Sequence, residues 1–359
     1  MTGAAWPPSL HLVGSKGVGG AERWVQRYAV ALAQRGAPAL VGVRAGSAVA
    51  GLDMGGLPVR TLPFLSVWDP ISRSAVTRLI RDQRPAIVQT YMGRATRLTR
   101  RTGGAVHLAR LGGYYKLAPY RHADAWIGNT RGLCDWMIAG GLPAERVHQI
   151  YNFVDAPHPL SDAEVSTLRE SLGIPVDALV LVALGRLVPV KGYGVLLAAL
   201  ARLPAQIDGR RWRMLIVGDG PLQAGLAAQA ARLGIGERLV WVGWQSVPGP
   251  YLQLADLVVF PSRDPETLGN VILEAWAWRR PLLTTRFRGA RELARHGEDA
   301  WCVPCDDLPA LAEGIRYLLA DEALRLTLAG QGAKRAAAEF GRETIMAQYL
   351  DLYRQLVGA

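Results

Sequence analysis

Short apolar runs bounded by glycine, proline and polar turns recur along the chain, and between them lie stretches with apolar residues at helical spacing. The run SLHLVGS (9–15) is strand-like and leads to a glycine-rich turn, Gly17-Val18-Gly19-Gly20. Trp24, Val25, Tyr28 and Leu32 then fall on one helical face, with Gly36 as a stop signal. Segments 39–46, 85–92, 104–111 and 124–129 predict further short strands, and the texture restarts at 178–185, 213–220, 238–243, 256–262 and 281–285. Compact apolar runs of this kind are strands buried on both faces. Their alternation with helices predicts α/β architecture, a mostly parallel sheet with helices on each side. Two doubly wound domains are expected, at 1–155 and 156–341, joined near the proline-bearing segment 155–161. Such domains would face across a cleft at the carboxyl ends of their strands, where ligands of these sheets bind. The last segment, 342–359, reads as a helix that could return to brace the first domain.

Composition adds exclusions. The 359 residues suit about two domains, and 50% hydrophobic with 20% charged residues is neither disordered nor fibrous. The longest uninterrupted apolar stretch, 178–185, is far short of the ~18–20 residues that span a bilayer. MTGAAWPPSL lacks the charged-then-apolar pattern of a secretory leader. Three cysteines cannot frame a small disulfide scaffold, so a reduced, cytoplasmic protein is expected. Cys302-Val-Pro-Cys305 has no second pair to complete a zinc site and reads as two small fillers.

Charge is unevenly placed. Residues 1–155 hold 19 Lys and Arg against 8 Asp and Glu, a net of +11, whereas 156–359 hold 22 of each. The first half therefore suits something anionic: nucleic acid, a phosphorylated sugar or an acidic membrane leaflet. Arg94, Arg97, Arg100 and Arg101 stand at near-helical spacing, and Arg73, Arg78, Arg81 and Arg84 form a second basic stretch. With 37 Arg against 4 Lys, a compositional bias with solvated helix faces is the competing explanation. Trp241, Trp276 and Trp278 read as core; Trp68, beside Asp69-Pro70, could be interfacial, but core is the default reading for it too unless it is exposed.

Several motifs are absent. Gly14-x-x-Gly17-x-Gly19-Gly20 is not the dinucleotide G-x-G-x-x-G, and no P-loop, H-E-x-x-H or G-x-S-x-G occurs. What remains lies in the second half. Strand 178–185 ends in Gly185-Arg186, and Lys191-Gly192 opens the following helical run. A planar guanidinium, an ammonium and a helix N-terminus make a cradle for a diphosphate. After strand 256–262 comes a loop carrying Glu266, then a helix from about Gly269 with Glu274 inside it. The two carboxylates would stand about 10–12 Å apart along the axis, the reach of a sugar-diphosphate-ribose unit. Backbone N–H groups around Gly269 and Asn270 would face phosphate between them. The competing assignment makes Glu266 a helix cap and Glu274 a surface residue.

These elements together, with Gly218-Asp219-Gly220-Pro221, Gly19-Gly20-Ala21-Glu22 and Asn152-Phe-Val-Asp155, resemble the retaining glycosyltransferases of family four, notably the bacterial lipopolysaccharide-core type. The resemblance spans nearly the whole chain and is strongest over 178–305. It implies the GT-B fold, two Rossmann-like doubly wound domains, and transfer of a hexose from a UDP- or GDP-sugar without a metal or other cofactor. By resemblance Arg186 and Lys191 hold the donor diphosphate, Glu266 the transferred sugar and Glu274 the ribose. Leu268, Gly269 and Asn270 offer amides to sugar and phosphate, and Gly218, Trp244 and Gln245 complete the donor pocket near the base. Gly19 and Gly20 close over the phosphates from the first domain. The family often has a histidine touching the donor sugar where this sequence has Arg110, with His107 three residues earlier.

The resemblance further implies a glycan or lipid-linked acceptor on the first domain, and the basic runs there suit an anionic acceptor and a cytoplasmic enzyme that could sit peripherally on an anionic inner-membrane surface, with no nucleic-acid partner. A nucleotide-sugar epimerase or phosphorylase on the same plan, a silent nucleotide-sugar sensor and a nucleic-acid binder are the alternatives. The last lacks any recognised nucleic-acid motif.

Overall fold

The structure is a computed structural model that describes residues 5–358. Residues 1–4, part of the opening segment read for a secretory leader, and residue 359 lie outside the described residues. The chain forms two compact units, one of Met1–Asn152 with Arg342–Ala359 and one of Phe153–Gly341.

The first unit holds β1 (Ser9–Val13), α1 (Gly20–Ala33), β2 (Ala39–Arg44), β3 (Val59–Leu62), α2 (Pro70–Gln83), β4 (Ile87–Tyr91), α3 (Met92–Leu98), β5 (Val106–Leu111), β6 (Ala125–Gly128), α4 (Arg131–Ala139) and β7 (Val147–Gln149). Its parallel sheet runs β3-β2-β1-β4-β5-β6-β7. Every residue of β1 and β4 is buried, the expected state of central strands covered on both faces. The helix read from Trp24, Val25, Tyr28 and Leu32 is α1, with those four buried. Asp69 caps α2 through the N–H groups of Ile71 and Ser72, and Pro70 supplies the preset first turn.

The basic stretch from Arg94 to Arg101 is not one helical face. Helix α3 stops at Leu98, where Thr99 becomes extended and returns its hydroxyl to the Ala95 carbonyl, so Arg100 and Arg101 follow the helix.

The second unit begins with α5 (Asp162–Ser171), which opens on a capping box formed by Ser161 and Glu164. It continues with β8 (Leu179–Leu184), α6 (Tyr193–Leu200), β9 (Gln206–Ile207), β10 (Arg210–Val217), α7 (Gln223–Arg232), β11 (Leu239–Gly243), α8 (Gly249–Leu254), β12 (Leu257–Phe260) and α9 (Asn270–Ala277). Then follow β13 (Leu282–Thr285), α10 (Arg288–Leu293), β14 (Trp301–Val303), α11 (Leu308–Ala320) and α12 (Glu322–Glu339). The parallel order is β11-β10-β8-β12-β13-β14, with β9 antiparallel on β10. Leu181, Ala183, Leu196, Leu197, Trp212, Met214, Val259 and Ile315 belong to one continuous core. Of the three tryptophans expected inside, Trp276 is fully buried, whereas Trp241 and Trp278 are half-buried. Trp241 lies on the edge strand β11, and Trp278 ends α9 against Gly249.

Strand order reverses between β8 and β12, since β8 pairs with β10 on one side and β12 on the other. In a doubly wound sheet the loops leaving two such strands diverge to opposite faces, and the crevice between their carboxyl ends accepts ligands. Here those loops are 185–192 and 261–269, the two segments that carry Arg186, Lys191 and Glu266.

The last helix, α13 (Arg342–Gly358), belongs to the first unit and buries Ile345, Met346, Tyr349, Leu352 and Tyr353 there.

Candidate active site

The two loops are brought together by backbone fit. Gly192 has φ 68°, and a Cβ on it would stand 1.9 Å from the Pro261 carbonyl oxygen. Only glycine meets both conditions, the left-handed conformation and the close approach. The Arg263 N–H donates to the Val190 carbonyl at 2.8 Å, a second tie between the loops. Lys191 Nζ in consequence sits 2.6 Å from Glu266 Oε2, with both side chains largely shielded from water. Ser262 Oγ donates to the same carboxylate oxygen at 3.2 Å, and the ammonium lies 4.9 Å from the centroid of the Phe260 ring. Glu266 is therefore no helix cap.

The N-cap of α9 is Gly269, at φ 73° and with no side-chain cap. A Cβ there would stand 2.7 Å from both Phe260 and Phe287, so the helix start is packed against the end of β12. Val271, Ile272, Leu273 and Ala275 anchor the buried face, and Glu274 is half-buried. Leu268 puts its side chain in the core, leaving its backbone to line the loop. The uncapped N-terminal end carries the positive pole of the helix next to the Lys191–Glu266 pair.

Arg186 is exposed and has no ion pair or side-chain hydrogen bond among the described residues, so its five donors are available. Its loop is fixed beneath it. The Leu187 N–H donates to the Asp219 carbonyl at 2.7 Å, and the Tyr193 hydroxyl donates to the Gly185 carbonyl at 3.1 Å. Burial pushes the Tyr193 phenol well above its ordinary range, so it stays a donor. The Gly218 N–H donates to the Gly243 carbonyl at 2.8 Å, which carries the platform on to Trp244 and Gln245. Trp244 is exposed, and Gln245 donates to the Val242 carbonyl at 3.3 Å.

Residues absent from the sequence reading also shape the loop. Asp264 accepts the Arg288 N–H at 2.7 Å and faces Arg291 at 3.4 Å, tying the Glu266 loop to α10. One aspartate among thirty acids carries no signal of this in the sequence. A hollow of about 460 Å³ beside this loop is lined by Arg263, Asp264, Arg286, Arg291 and Cys305, and by none of the expected donor residues.

In the first unit, Gly19 and Gly20 are exposed at the start of α1, and the Gly19 N–H is already accepted by the Glu22 carboxylate at 2.8 Å. Arg110 is buried in its own unit. Its Nε donates to the Tyr349 hydroxyl at 3.1 Å, another nitrogen donates to Asn152 Oδ1, and its guanidinium lies 4.7 Å from the Trp24 ring centroid. His107 is buried too, with Nε2 3.0 Å from Thr90 Oγ1. Among the described residues no three His, Cys, Asp or Glu side chains cluster as metal ligands.

A family model described as glycosyl transferases group 1 matches residues 164–335, and one described as glycosyltransferase family 4 matches residues 18–157. The lipopolysaccharide core biosynthesis glycosyltransferase LpsE of Rhizobium meliloti is 32% identical over 337 residues, 93% of this chain and 95% of its own. LpsD of the same organism is 29% identical over 339 residues, with the same coverage. Anabaena Alr3699/HepE, solved in complex with UDP, has a TM-score of 0.85 at 25% identity, covering 97% of this chain and 100% of its own. The chain belongs to the family 4 glycosyltransferases and is a transferase of the GT-B fold.

Proposed function

We propose that the enzyme moves a hexose from a nucleotide-sugar, UDP- or GDP-linked, to a glycan or lipid-linked acceptor in lipopolysaccharide core assembly, with retention at the anomeric carbon. The observation that carries this is the Lys191–Glu266 contact at 2.6 Å, at the strand-order reversal of the second unit and beside the uncapped start of α9. The names of LpsE and LpsD support the pathway, and the UDP bound to HepE supports the donor class.

In this scheme Arg186 and Lys191 take the diphosphate, and their positive charge does the work that a metal ion would otherwise do. Glu266 orients the sugar hydroxyls and Glu274 the ribose, with the amides of Leu268, Gly269 and Asn270 between them. Gly218, Trp244 and Gln245 shape the base end, and the first unit takes the acceptor. The bond from the anomeric carbon to the phosphate oxygen breaks through an oxocarbenium-like state. The acceptor oxygen bonds to that carbon on the same face, and its proton passes to the departing β-phosphate. Fixed charge lowers the barrier most where charge develops on the leaving phosphate.

Among the described residues no helix is long and apolar enough to cross a membrane. We place the enzyme at the cytoplasmic side of the envelope. Incubation with a panel of UDP- and GDP-sugars and a core-oligosaccharide acceptor, read by proton NMR, tests the reading. An anomeric coupling constant matching the donor's supports it, and inversion, epimerised donor or no sugar transfer refutes it.

A further inference from the structure

Strand β12 reads Leu-Val-Val-Phe, and its first three residues are aliphatic and fully buried. The aromatic comes only at the last position, Phe260, which is 1% exposed and stands at the carboxyl end of the strand, just before the loop that carries Glu266. The whole chain has five phenylalanines, so composition does not account for a second one, Phe287, at its side. The two rings meet edge to face, at 89° with centroids 5.4 Å apart, and this contact fixes the plane of Phe260.

Both cationic parts of the proposed site touch this ring. The Lys191 stem passes Gly185 at the end of β8, where a Cβ would meet Lys191 Cε at 3.6 Å, and its ammonium ends 4.9 Å from the Phe260 centroid. The residue that opens α9 abuts the same ring, since a Cβ on Gly269 would come 2.7 Å from it. An ammonium within about 6 Å of a ring centroid is attracted by the negative π face, most strongly where water is excluded. Lys191 is largely shielded and Phe260 wholly so.

Lys191 thus has two fixed partners, and they differ in what the reaction asks of them. Glu266 is to take up sugar hydroxyls, which compete with its 2.6 Å contact to the ammonium. The ring has no substrate group to take up and keeps its place throughout. We propose that Phe260 is a positioning residue for the transfer: its π face holds the Lys191 ammonium at the leaving phosphate once the sugar engages Glu266, and the same ring seats the start of α9. This rests on the proposed donor site and adds to it a residue that touches no substrate.

Nucleotide release by the full-length chain, with the preferred sugar donor and acceptor, tests it. Phe260→Leu keeps an apolar side chain and removes the ring, and kcat should fall about tenfold while the donor KM changes by less than about threefold. Ring fluorination nearly conserves size and draws charge from the π face. Mono-, di- and trifluorinated phenylalanine at position 260 should therefore lower kcat step by step, at a thermal midpoint close to that of the wild type. In a Lys191→Ala background, Phe260→Leu should cost less than about twofold more, because its partner is gone. A flat response to fluorination, or an equal loss from Phe260→Leu in both backgrounds, would overturn the proposal and leave the ring as packing. Lys191→Ala alone separates the two levels. Wild-type turnover in that variant removes the donor assignment itself, whereas a slow Lys191→Ala with a flat fluorination series removes only the role of Phe260.

Discussion

At Gly192 a hydrogen in place of a side chain lets the Pro261 carbonyl reach the turn that carries Lys191. Gly192→Ala would force the two loops apart at a left-handed position and break the Lys191–Glu266 contact. Turnover is expected to fall by about 100-fold, read as nucleotide release, because charged groups so placed act over tenths of an ångström. Two histidines make a second, separate expectation. Burial pushes His11 down to about 3, and burial with its charged neighbours His122 and Arg100 does the same to His107. Both are neutral in the fold and gain protons on unfolding below pH 6.5. Their stabilising effect is therefore whole above pH 6.5 and is lost as pH falls toward 3, at about 1.4 kcal/mol per pH unit for each. Chemical unfolding at pH 7 and pH 5 measures this slope, and His11→Gln should remove about one histidine's share.

Helix α13 shows what element-level patterning conveys and what it omits. Apolar spacing over 342–358 marks the helix but does not say what it packs on, and the helix lies in the first unit. The buried polar chain that fastens it was not legible. Tyr28 donates to Tyr353 at 3.2 Å, Tyr353 to Gln89 at 2.7 Å, and Gln89 to the Tyr91 hydroxyl at 2.6 Å, while Arg110 holds Tyr349. These partners are separated by up to 325 positions, and periodicity carries no information about which polar residues meet. The same limit explains Arg110, a position matched by resemblance to a donor contact but occupied here with Tyr349 and Asn152. Arg110→Ala should destabilise the first unit by about 2–4 kcal/mol in denaturant unfolding, because it leaves buried acceptors unpaired. Unchanged stability with a raised donor KM would instead mark it as a donor ligand. The sequence pattern is plainest in strands covered on both faces, such as β8 and β12, whereas Trp241 is only half-buried because β11 is an edge strand.

Over the whole molecule, charge separates by half: the first 155 residues carry the entire net +11, and the remainder is neutral. The family was legible because its elements recur jointly along most of the chain, from Gly19-Gly20 to Glu274, although no single motif would suffice. The convergence of Lys191 and Glu266 depended on loop packing around Gly192, which the sequence marks only by a glycine. The proposed donor site is formed by these loops and by α9, which carries Glu274. It is tested most directly by nucleotide release from the preferred sugar donor in Lys191→Ala and Glu274→Ala, with circular dichroism confirming the fold. Turnover should drop by about 10²–10⁴ in each at unchanged secondary structure. Rates within a few-fold of wild type in either variant would contradict the account.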